Sequence, residues 1–183
     1  MPTRQPKPHT QLAQSSLRIF AANERINQLL IEHLAPVAWT AKPPGNVRTI
    51  AAIFTHMHNV RTKWIRLTAP YLKVPVQLNR AHCTPQQARK ALAESAAQCE
   101  EMLADVETGR IHKGKRIQQF VRDGWAKPWP VGPGMLTEML SYMLAHEAHH
   151  RGQVSMLAHQ LGFPLSNAVT SEMWNWEKLW KEK

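Results

Sequence analysis

His146 and His150 stand four residues apart in the run His146-Glu147-Ala148-His149-His150-Arg151-Gly152-Gln153. On an α-helix that spacing places both imidazoles on one face, one turn apart. The surrounding pattern makes that face the buried one. Leu136, Met139 or Leu140, Met143, His146, His150, Gln153 or Val154, Leu157 and Leu161 recur at steps of three and four. Two buried imidazoles need partners, because each unpaired buried polar group costs roughly 1–3 kcal/mol. A single divalent metal serves both, and His-x-x-x-His on a helix is an established ligand spacing. The alternative is two core histidines bonded to carbonyls or carboxylates. A third residue shifts the balance. His56 lies between Ile53 and Val60 of a second helical pattern and projects into the same interior. His58, about 200° further round that helix, is expected at the surface. Three inward histidines from two helices make a three-histidine site with open coordination positions, which is the catalytic pattern rather than the structural one.

The neighbours of the pair suggest supporting roles. Gln153, one turn beyond His150, is placed to hydrogen-bond a ligand or a bound water. Gly152 costs its helix about 1 kcal/mol relative to Ala, which suggests that a neighbouring helix approaches there. Glu147 and His149 are the nearest candidates for proton transfer, and the catalytic residues are otherwise unassigned. The angle of Glu147 from His146 favours solvent, and Arg151 is expected in a structural ion pair. Trp125 and Trp129 flank Pro128 just ahead of this helix. They either line the mouth of a pocket and bind an apolar substrate, or pack over the end of the fold.

The elements that carry these residues are helical. Residues 1–10 read as a flexible arm, with Pro2, Pro6 and Pro8 against helix. A first helix is expected from Gln11 to about Leu34. A second runs from about Asn46 to Leu67 along Ile50, Ile53, Met57, Val60, Trp64 and Leu67. Thr84-Pro85 starts a third, as cap and first residue, and Gly109 ends it. Residues 110–133 are irregular, with a short helical turn around Ile117–Val121. The fourth helix spans about Met135 to Leu161, and a shorter fifth starts near Ser166 or Asn167. The connection before Thr84 is long for antiparallel neighbours and suits a crossover. The fold class is therefore all-α: a four-helix bundle over residues 11–165, up-down-down-up, with a long crossover between its second and third helices. Residues 166–183 form a C-terminal helix that packs on the bundle or at a dimer interface, where Trp174, Trp176 and Trp180 lie.

Composition sets outer limits. The chain has 183 residues, 43% apolar and 20% charged, enough for one domain with its own core. Two cysteines, Cys83 and Cys99, make no disulfide framework and no cysteine zinc site. They are expected to be inert, reduced thiols. No apolar run reaches a membrane span, and the start lacks a secretory signal, so a cytoplasmic protein is expected. The formal charge is +10, and it sits entirely within residues 1–130; residues 131–183 carry 4 basic and 5 acidic side chains. The excess therefore lies off the proposed ligand helix. It can draw an anionic substrate, and a non-catalytic basic binding module is the alternative. No nucleic-acid-reading motif accompanies it, so nucleic acid is not the expected partner.

His56 followed eight residues later by Trp64, together with His146-x-x-x-His150-Arg151-Gly152-Gln153, resembles the two motifs of the DinB-like (DinB/YfiT-like) superfamily. The resemblance covers all four long helices. It implies the crossover bundle and a divalent metal on His56, His146 and His150. Zinc or nickel is the first expectation, with iron or manganese as alternatives. It also implies a homodimer and, from characterised relatives, transfer of a low-molecular-weight thiol to an electrophile. A hydrolase using metal-bound hydroxide is the alternative activity.

Overall fold

The computed structural model describes residues 8–130, 132 and 134–181. Among them are helices α1 (Pro8–His33), α2 (Pro36–Thr40), α3 (Ile50–Thr68), α4 (Pro85–Thr108), α5 (Met135–Gln160), α6 (Asn167–Glu172) and α7 (Trp176–Lys181). Two short strands, β1 (Gln119–Phe120) and β2 (Trp129–Pro130), pair antiparallel. The fold is all-α, as expected, and α1, α3, α4 and α5 are its long members.

Local chemistry sets the boundaries. The Thr49 hydroxyl accepts from the Ala52 N–H, so α3 starts there rather than at Asn46. Thr84 and Gln87 form a capping box, with each side chain bonded to the other's backbone N–H, and Pro85 follows at the first helical position. Gly109 closes α4 in the left-handed region at φ 62°. Pro8 occupies the first position of α1, where a missing N–H costs nothing. That is why the helix begins three residues earlier than expected. The rest of the expected arm, residues 1–7, lies outside the described residues.

Two apolar clusters show how the long helices run. Leu30 and Leu34 of the α1 end pack with Ile50, Phe54 and Met57 at the start of α3, Ala88 and Leu92 at the start of α4, and Val154 and Ala158 at the end of α5. The other cluster joins Phe20, Trp64, Cys99, Met102 and Leu103 with Met139 and Met143. The starts of α3 and α4 therefore share one end of the bundle with the finishes of α1 and α5. Parallel α3 and α4 need a long link, and residues 69–84 supply it.

That link is part of the packing. His58 Nε2 lies 2.9 Å from the Val76 carbonyl and its Nδ1 lies 3.2 Å from the Ser95 hydroxyl. Asn59 donates to the Leu78 carbonyl and accepts from the Leu78 N–H. The link thus covers the back of α3. His58 is consequently 0% exposed, which corrects its expected place at the surface.

Two further expectations change, and one helix is added. The irregular stretch holds strand β1, not a helical turn, because Phe120 turns into the core and pairs with Trp129. The C-terminal helix is split into α6 and α7 by a turn at residues 173–175. Leu179, Met173 and Trp176 cover Ala22 and Ile26 of α1. The short α2 had no periodic signal, being one turn started by Pro36 and held by buried Ala38 and Trp39. No helix among the described residues is long and apolar enough to cross a membrane.

Candidate metal centre

The structure brings His56, His146 and His150 together. One ligand nitrogen from each lies within 4.8 Å of the others. The ring centroids are 5.4 Å apart for His56–His146, 4.7 Å for His56–His150 and 4.6 Å for His146–His150. α3 supplies the first ring and α5 the other two, one turn apart. Trp64, two turns beyond His56, stands edge-on to His146 at 5.3 Å and walls the site from the core side.

The donor set fits a divalent ion. His146 Nδ1 is buried and has no hydrogen-bond partner among the described residues. An orphaned imidazole nitrogen within a group of three is what a metal ion satisfies. All three rings are held neutral, as ligands must be. Burial is the main cause, and it takes His56 down to about 3 and His146 to about 4. Arg48 adds to the effect on His56, and His150 to both. Burial likewise lowers His150, outweighing the bond from Gln153.

Gln153 takes the orienting place expected of it. Its Oε1 lies 2.7 Å from His150 Nδ1, which therefore carries the proton and leaves Nε2 free. The Gln153 amide nitrogen lies 3.1 Å from His149 Nε2, so His149 is tied into the same chain from the exposed side. Gly152 does not admit a neighbouring helix, since a Cβ there would meet nothing within 4 Å.

Glu147 departs furthest from expectation. It is 0% exposed, not solvated. Arg61, equally buried, grips it with Nε to Oε1 at 2.6 Å and Nη2 to Oε2 at 2.7 Å. Asn23 and Asn27 donate to the same carboxylate at 2.6 and 2.8 Å. Arg61 also meets Glu24 at 2.7 Å and the Leu92 carbonyl at 3.0 Å. Arg151 donates to the side chains of Asn23 and Asn27 at 2.6 and 3.1 Å, so it joins this network rather than a direct ion pair. Burial alone would raise the Glu147 carboxyl, but Arg61 outweighs it and holds the group ionised. Both oxygens are engaged by these donors.

The tryptophans lie elsewhere. Trp125 is 86% exposed. Trp129 packs against Phe120 and Tyr142, under the Arg122 guanidinium at 4.3 Å. It lines a surface cavity at the start of α5, on the side of Met135 and Glu138. Arg110 pairs with Glu101 and Asp105 at 3.4 and 3.5 Å. The two cysteines are buried and unpaired, and burial raises both thiols.

Sequence reasoning missed Arg61, Asn23 and Asn27. A signal was present, because all three are polar residues at core spacing on their helices. Comparison with curated proteins finds no match. The family model described as "DinB family" matches residues 9–178, nearly the whole chain and both histidine-bearing helices. The chain belongs to the DinB family.

Proposed function

We propose that this chain is a metalloenzyme that holds zinc or nickel on His56, His146 and His150 and transfers a small thiol to an electrophilic carbon. The observation that carries it is the buried, unpartnered Nδ1 of His146 inside the three-histidine group. Three imidazoles without thiolate or carboxylate suit zinc and nickel, with iron and manganese less favoured. The ion, when bound, supplies Lewis acidity that makes a thiol nucleophilic at neutral pH. The chain's own residues keep the donors neutral, fix the His150 tautomer through Gln153, and exclude water on the core side with Trp64. In the transfer, sulfur forms a bond to carbon, the leaving group departs with its electron pair, and the thiol proton passes to solvent.

The hydrolytic alternative asks for a proton carrier beside the ion. Glu147 cannot serve, because Arg61 and two asparagines occupy its oxygens. Two buried, unpaired cysteines support a reducing, cytoplasmic setting. Trp174 and Trp180, exposed at the C-terminal end, support a homodimer.

The test is metal analysis followed by cobalt substitution. Purified protein is expected to hold one equivalent of metal, and His56→Ala with His150→Ala to hold none. Adding a low-molecular-weight thiol to the cobalt protein should give sulfur-to-cobalt charge-transfer absorption. Full metal occupancy in the double variant refutes the site, and an unchanged spectrum with every small thiol refutes the transfer.

A further inference from the structure

A cavity of about 1010 Å³ lies between the end of α1, α2, the start of α3 and residues 80–89. That is the size of a small-molecule site. Its wall is apolar where Leu34 and Trp39 line it. The Trp39 ring is stacked on Phe54 at 5.4 Å, and its Nε1 donates to the Cys83 carbonyl. Its rim is cationic, with Lys42, Arg80 and Arg89 against one acid, Glu32. Arg89 and Glu32 are 3.7 Å apart and both about half exposed. Lys42 and Arg80 have no ion pair or hydrogen bond among the described residues. Unpaired exposed cations do little for stability, so their grouping over an apolar wall is unexplained by folding.

We infer that this cleft is a binding site for an organic anion that carries an apolar group. The apolar wall of Leu34 and Trp39 takes the apolar part, and Lys42, Arg80 and Arg89 on the rim meet the negative charge. The paired bonds between Asn59 and Leu78 fix the chain two residues before Arg80 and hold that cation at the rim.

The probe is 8-anilinonaphthalene-1-sulfonate, an aromatic anion, beside its neutral counterpart N-phenyl-1-naphthylamine. Both are titrated by fluorescence against folded, metal-free protein. One tight site for the anion is expected. Lys42→Gln with Arg80→Gln should weaken the anion about fivefold or more, as the loss of two exposed charges allows, and leave the neutral dye unchanged. Ala81→Trp, which fills the cleft from an exposed position, should weaken both. Equal affinity for the two dyes, or no response to either change, overturns the inference.

Discussion

Replacing Arg61 by Met should be among the most damaging single changes in the core. The guanidinium is 0% exposed and shared by two carboxylates, bidentate to Glu147 at 2.6 and 2.7 Å and single to Glu24 at 2.7 Å. Removing one partner of a buried pair costs about 3–5 kcal/mol, because the other charge stays buried without compensation. Arg61→Met leaves two carboxylates and belongs at the upper end. Glu147→Leu leaves Arg61 still paired with Glu24 and belongs at the lower end. For a chain of this size, 1 kcal/mol moves Tm by about 2–4 °C, so Arg61→Met should lower Tm by about 10–20 °C. The double variant should be more stable than the sum of the singles predicts, with a coupling of roughly 1–3 kcal/mol. Denaturant unfolding of the four proteins measures this. The pair also ties α3, which carries His56, to α5, which carries His146 and His150, so the double variant should bind zinc more weakly even where stability returns. Additive singles costing under about 1 kcal/mol, or unchanged zinc affinity in the double variant, would refute the clamp.

Other expectations follow from the same geometry. Gln153→Leu frees the His150 ring and should weaken metal binding about 10–100-fold, read by competition with a chelator; an unchanged affinity contradicts the orienting role. The metal-free protein should lose stability on acidification. His56 and His146 are held to about 3 and 4, chiefly by burial, whereas an unfolded histidine titrates near 6.5. The unfolded chain therefore binds more protons in that window, and stability is complete above it and falls as pH drops from 6.5 towards 4. Urea midpoints that stay constant from about pH 7 to about pH 4.5 would contradict this. Thr84→Ala removes half of the capping box and should cost about 1 kcal/mol, or about 2–4 °C in Tm; a gain in Tm would show that the cap is not limiting.

The long helices were legible because their caps and breakers are explicit. Thr84-Pro85 and Gly109 mark α4 to the residue. The three-histidine cluster was legible because His56, His146 and His150 all fall at core spacing on their helices. Glu147 and His58 were misplaced for one shared reason. Periodicity finds a single buried stripe, whereas α3 is covered on nearly every side, by three helices and by the 69–84 link. The buried face of α5 likewise runs Met143, Glu147, His150, Val154 and Ala158, one position round from the stripe drawn through His146. A carboxylate can occupy that face only because Arg61 meets it from 86 residues away, and pairing at that range leaves no local trace. Strand β1 was hidden because two residues are too few for an alternation to register.

The fastening of the 69–84 link has a practical side. Connections between helices are usually the first choice for inserting a tag, a fluorophore or a second domain, since they tolerate added length. Here that choice fails across Val76–Leu78, where three consecutive residues are stitched to His58, Thr62 and Asn59. An added residue there would slide every stitch out of register. The exposed turn between α4 and β1, at residues 113–115, is clear of those stitches, and it is where a foreign segment can be spliced in while the histidine cluster stays intact.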